Sequence, residues 1–164
     1  MSEYGCLTPI HSYATISIDA QPWLGIILYD VNWSKEDSHL YALGRHLLVE
    51  LKQCNASLLN DLDYLKETLY TAADRCGATV VGDSFYHFSP QGVSGVINIA
   101  ESHISIHTWP ECGYAAVDVF TCGDKVEPEA AARYIMQAVE AGDCSLIELR
   151  RGLMQASPVE SATK

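Results

Sequence analysis

Apolar and polar residues alternate through residues 102–109, SHISIHTW. Ile104, Ile106 and Thr108 fall on one side, and His103, Ser105, His107 and Trp109 on the other. The β-branched residues and Trp109 favour a strand, and Pro110 stops any helical continuation. Five further runs, rich in apolar or β-branched residues, also read as strands: GRHLLVELKQC (44–54), ATVVGDSFYHF (78–88), GVSGVINIA (92–100), YAAVDVFTC (114–122) and CSLIELR (144–150). Two stretches switch to a helical period. In residues 55–77, Leu58, Leu62, Leu65, Leu69 and Ala72 follow 4-3-4-3 spacing, with Asn55 or Ser57 to cap the start and Gly77 to end it. Residues 127–142, EPEAAARYIMQAVEAG, carry proline in the first turn, bury Ala131, Tyr134, Ile135, Ala138 and Val139, and close at Gly142.

The order is β-α-β-β-β-β-α-β, an α+β fold: an antiparallel sheet with two helices packed on one face. Its other face needs cover, so a face-to-face dimer, an α/β/β/α sandwich, is expected. Residues 1–40 read as an N-terminal extension in which QPWLGIILYDVNW predicts one extra strand and SKEDSH a polar linker. The main domain spans 41–151, and 152–164 reads as a mobile tail.

A chain of 164 residues supports one domain with a sizeable core and is short for two. A formal net charge of −11 argues against nucleic acid, which calls for a basic patch, and leaves room for a cationic substrate. No apolar run approaches the roughly 20 residues of a membrane-spanning helix. The first residues, MSEYGCLTPIHS, do not read as a secretory signal, so a cytoplasmic location is expected. Six scattered cysteines without a CxxC pair then read as reduced thiols rather than a zinc site.

His103 and His107 are four apart, a spacing that suits one zinc ion on a helix. On a strand it spans about 13 Å, too far for two ligands of one ion, and no metal is expected. By itself the strand is a polar sheet face. Its company changes the picture: ESHISIHTWPE followed by GYAAVDVFTCG, with LGRHLLVEL, GATVVGDSFYHFSPQGVSGV and the second helix, closely resembles the prokaryotic pyruvoyl-dependent S-adenosylmethionine decarboxylases over residues 42–150.

The resemblance implies a self-cleaving proenzyme that makes the aminopropyl donor for spermidine. Ser102 Oγ would attack the carbonyl of Glu101, turning the peptide into an ester. Loss of the Ser102 Cα proton would expel Glu101 as a carboxylate, and hydrolysis with release of ammonia would leave a pyruvoyl group. That covalent carbonyl serves as electron sink and takes the substrate amine as a Schiff base, so no pyridoxal phosphate is called for. The resemblance also makes His107 the acid/base of processing, Ser94 its assistant and Cys122 the proton donor in catalysis. Phe88 would face the adenine and sulfonium, Glu111 would hold the ribose hydroxyls, and Trp109 would line the site. The implied partners are S-adenosylmethionine, the cleaved β and α chains of the protein itself, and a second protomer. A same-fold decarboxylase of arginine or ornithine, or a processing-dead homologue without activity, are the competing readings.

Overall fold

The computed structural model describes residues 14–15, 28–30, 40–100 and 102–155. Glu101 and the remaining residues of both termini lie outside it. Eight strands form one sheet: β1 (Ala14–Thr15), β2 (Leu28–Asp30), β3 (Leu40–Lys52), β4 (Val80–His87), β5 (Val93–Ile99), β6 (Ser102–Trp109), β7 (Tyr114–Cys122) and β8 (Asp143–Gln155). Their spatial order is β1-β2-β8-β3-β7-β6-β5-β4. The six strands β8-β3-β7-β6-β5-β4 are antiparallel throughout, as the α+β reading requires. Among the described residues of the extension are two short strands, β1 and, within QPWLGIILYDVNW, β2, which joins β8 in parallel.

Among the described residues three α-helices, not two, cover one face: α1 (Ala56–Leu59), α2 (Leu62–Arg75) and α3 (Pro128–Ala138). The continuous helix expected over residues 55–77 breaks at Asn60-Asp61. Asn55 caps α1 by accepting from Ser57 N at 3.0 Å, and Asp61 caps α2 by accepting from Tyr64 N at 3.0 Å. Asn60 Oδ1 is drawn away to accept from Gly92 N at 2.9 Å, with His87 Nε2 at 3.0 Å. Short polar side chains that bond backbone or loop groups compete with helix continuation, and here two adjacent ones win. The restart shifts the phase, so Leu59 rather than Leu58 is fully buried, while Leu65, Leu69 and Ala72 keep their expected place.

The core lies between helices and sheet, where Leu47, Val49 and Leu51 of β3 meet Ile104 and Ile106 of β6, Val117 and Val119 of β7, and Leu65, Leu69 and Ile135 of the helices. Thr108 is the polar member of this layer: its hydroxyl donates to Leu59 O at 2.8 Å and accepts from Val93 N at 2.8 Å, tying β6 to α1 and β5. Arg45 ties three elements at the layer's edge, making two bonds of 2.8 and 2.9 Å to Glu148 of β8 and pairing with Glu129 of α3. β8 runs to Gln155, so the first four residues read as tail belong to the sheet.

Candidate functional site on the uncovered sheet face

Alternation along each strand sends a second set of side chains to the face without helices. β3 places Gly44, His46, Leu48 and Glu50 there, β5 Ser94 and Val96, and β6 His103, Ser105, His107 and Trp109. β7 adds Tyr114, Ala116, Asp118, Phe120 and Cys122, and β8 Ile147, Leu149 and Arg151. Register then decides which of these meet.

Ser94 and His107 stand directly opposite one another on β5 and β6, and Ser94 Oγ shares a hydrogen bond of 2.7 Å with His107 Nδ1. This bond fixes the ring and leaves Nε2 as the outward nitrogen. On the next strand pair, Ser105 donates to Asp118 at 3.0 Å. Asp118 also sits 3.4 Å from His46 Nε2. Burial pushes the His46 imidazole below its ordinary pKa, against the pull of the Asp118 carboxylate. The rings of His46, Phe120 and His103 form one cluster, with centroids 5.3, 5.9 and 6.1 Å apart, and the Arg151 guanidinium lies 4.6 Å over the Phe120 ring.

Cys122 ends β7 opposite Gly44 of β3. A Cβ on Gly44 would lie 2.7 Å from Thr121 O, 2.8 Å from Phe120 Cε2 and 3.1 Å from the Cys122 sulfur. The glycine therefore makes room for the thiol and the ring beside it. Ser102 begins β6, one residue before His103, which stands opposite Phe120, and its Oγ is 3.3 Å from His103 Nδ1.

The aromatic and acidic candidates gather at the other end of β6. Phe88 packs edge-on to Tyr86 with centroids 4.8 Å apart, and Trp109 tilts against Tyr114 at 5.3 Å. Tyr114 donates to Glu50, which pushes its phenol up to about 12. Glu111 accepts from Gln91 at 3.1 Å and borders an open cleft with Asn60, His87 and Pro110. The expected residues thus divide into two groups. Ser102 and Cys122 stand at one end of the sheet, and Ser94, His107, Phe88, Trp109 and Glu111 at the other. Five steps along the strand take Ser102 to His107, about 16 Å.

His46, Asp118, Phe120 and Arg151 were not singled out by the sequence. A histidine and an aspartate in the middle of apolar strands, in LGRHLLVEL and YAAVDVFTC, are the signal that marks them, but only lateral register shows that they meet. The histidine pair of β6 is no pair in space: His103 contacts Ser102 and Phe120, and His107 contacts Ser94.

A helix-backed antiparallel sheet with serine, histidine and cysteine side chains on its bare face defines the class. Within that class, residues 45–152 match the family model described as S-adenosylmethionine decarboxylase. An S-adenosylmethionine decarboxylase proenzyme of Thermodesulfovibrio yellowstonii is 53% identical over 115 residues, 70% of this chain and 85% of that protein. One from Caldicellulosiruptor saccharolyticus is 47% identical over 123 residues, 75% of this chain and 98% of that protein. The crystal structure of the adenosylmethionine decarboxylase from Aquifex aeolicus superposes with a TM-score of 0.61 at 33% identity, covering 75% of this chain and 98% of that one. The chain belongs to the S-adenosylmethionine decarboxylase family.

Among the described residues no helix is long and apolar enough to cross a membrane. The described cysteines, Cys54, Cys76, Cys112, Cys122 and Cys144, are free thiols.

Proposed function

We propose that this chain is a proenzyme that cuts its own backbone between Glu101 and Ser102 and then decarboxylates S-adenosylmethionine. Cleavage yields a 101-residue β chain and leaves the rest of the 164 residues as the α chain. The observation that carries the reading is the 2.7 Å bond between Ser94 and His107. It joins two residues thirteen apart in the chain, on neighbouring strands, both expected to act in processing, on the sheet that also holds Ser102 and Cys122.

The residues fit a pyruvoyl group made from Ser102. Its hydroxyl stands at the head of a strand beside an imidazole, and the neighbouring Gly44 leaves space at the level of Cys122. Once made, that group supplies the carbonyl through which electrons released with carbon dioxide are held. The chain's own residues do the rest. His107, its ring held by Ser94, moves a proton during cleavage. The Cys122 thiol returns one to the substrate's Cα. Phe88 and Trp109 offer ring faces to the adenine and the sulfonium cation, and Glu111 offers a carboxylate to the ribose hydroxyls.

The two groups of site residues are too far apart to act together in one chain. A second copy laid face to face, with its strands running the opposite way, sets the His107 end of one protomer over the Ser102 end of the other. Leu48, Ile147, Leu149 and Phe120, uncovered on this face, supply the apolar contact such an α/β/β/α dimer needs.

Two measurements test the reading. Denaturing mass analysis of the purified protein is expected to show two pieces in place of one 18.0 kDa chain. Carboxyl-labelled S-adenosylmethionine, arginine and ornithine are then supplied in turn, with release of labelled carbon dioxide from the first alone expected. A chain that never splits would support the processing-dead alternative, and release from arginine or ornithine alone would move the substrate to those amino acids.

A further inference from the structure

His107 is about five strand residues from Ser102 in its own chain, yet Ser102 has an imidazole beside it. Ser102 Oγ lies 3.3 Å from His103 Nδ1, at the long end of a hydrogen bond and of the kind that tightens as a reaction proceeds. The His103 ring is not free to swing away. Phe120 stands opposite it on β7 with centroids 5.9 Å apart, and the His46 ring closes its other edge at 6.1 Å. His46 is in turn beside Asp118, whose second oxygen is occupied by Ser105.

Self-cleavage poses two separate proton problems. The serine hydroxyl must lose its proton to become a nucleophile, and later the Ser102 Cα–H must be removed. In its own chain the His107 imidazole, held by Ser94, stands about 16 Å along β6 from Ser102, whereas the His103 imidazole is already beside the hydroxyl. Resting on the self-cleavage reading, we propose that His103 is the base for the first step, the amide-to-ester shift, in the same chain as Ser102.

The step balances within the residues named. Neutral His103, carrying its proton on Nε2, accepts the Ser102 hydroxyl proton at Nδ1 as Oγ bonds to the Glu101 carbonyl carbon. The tetrahedral carbon then collapses, the bond to the Ser102 nitrogen breaks, and His103 returns the proton to that nitrogen. The products are an ester and an amine, with His103 neutral again. His107 acts only in the later elimination, on the ester already formed.

The test separates the steps by where the precursor stops. Purified full-length His103→Gln and His103→Ala chains are followed by denaturing mass analysis, before and after neutral hydroxylamine, which cuts an ester and leaves an amide intact. Glutamine can accept the serine's hydrogen bond but cannot take its proton. Both variants are expected to split about 10²–10⁴-fold more slowly than the parent and to stay resistant to hydroxylamine. His107→Ala is expected instead to accumulate a hydroxylamine-sensitive chain. Added imidazole is expected to restore splitting to His103→Ala, which also shows that this variant is folded. Splitting of His103→Gln at the parent's rate, or a hydroxylamine-sensitive ester in it, would overturn the assignment. An unsplit parent chain would overturn the self-cleavage reading itself and is seen in the same mass analysis.

Discussion

Gly44 marks where the sheet is packed most tightly around the Cys122 thiol. The nearest obstacle to a side chain is a backbone oxygen, Thr121 O at 2.7 Å, which cannot rotate aside as a side chain would. Gly44→Ala is therefore expected to cost about 1–3 kcal/mol of stability through overpacking, read as a lower midpoint in denaturant. Because the same methyl would press on Phe120 and the Cys122 sulfur, turnover is expected to fall further than cleavage does. Cys122→Ala has a sharper expected outcome: the chain still splits, while carbon dioxide release per split chain collapses. Normal release would take Cys122 out of the mechanism. These residues differ in how far the sequence displays them. Simple alternation places His103, Ser105, His107 and Trp109 on one face of β6, because period two is a property of a single strand. The His46–Asp118 contact and the glycine facing Cys122 depend on how β3 slides against β7, which a period along one chain does not contain.

Among the elements, the interrupted helix and the tripod of Arg45, Glu148 and Glu129 make separable predictions. Asp61 holds the first turn of α2 by a single capping bond, so Asp61→Ala is expected to lower stability by about 1 kcal/mol and Asp61→Asn to leave it nearly unchanged. Arg45 holds the Glu148 carboxyl below its ordinary value, and the carboxylates in turn raise the guanidinium. A carboxyl depressed in the folded state binds its proton more readily once unfolded. Its contribution is thus complete above the ordinary value of 4.5 and is lost as pH falls below that, through the lower folded value. Glu148→Gln is expected to flatten the loss of thermal stability on acidification below about pH 5, while lowering stability near neutrality. Equal slopes for parent and variant would show that the pair does not carry this dependence. At this scale the six central strands were legible because each is a short run rich in apolar or β-branched residues, bounded by glycine, proline or polar residues. The break at Asn60-Asp61 was not. The leucine spacing continues across it, and what stops the helix is the pull of Gly92 and His87 on Asn60, a contact between segments 27 and 32 residues apart. The parallel seat of β2 beside β8 was hidden for the same reason, since QPWLGIILYDVNW has apolar content without any mark of its partner.

For the molecule as a whole, one sheet face is closed by helices and the other carries the candidate site and a set of apolar side chains. A single chain leaves the Ser102 end and the His107 end apart, so the assembly predicted for catalysis is a pair of chains sharing two composite sites. Sedimentation of the protein is expected to give twice the chain mass of 18.0 kDa. Leu149→Asp, a charge placed on the bare face, is expected to shift that toward the single chain and to slow cleavage in proportion, with the secondary structure kept. Mass alone does not show that the sites are shared, but complementation does. Ser102→Ala and His107→Ala precursors, each unable to finish cleavage alone, can be co-expressed with different affinity tags and the mixed pairs isolated through both. If each site draws its serine from one chain and its histidine from the other, a mixed pair holds one intact site and one doubly defective site. The His107→Ala chain is then expected to be cut, and the Ser102→Ala chain never. Mixed pairs in which both chains stay whole would place serine and histidine in the same protomer, and β6 would then have to bend by more than about 10 Å to bring them together.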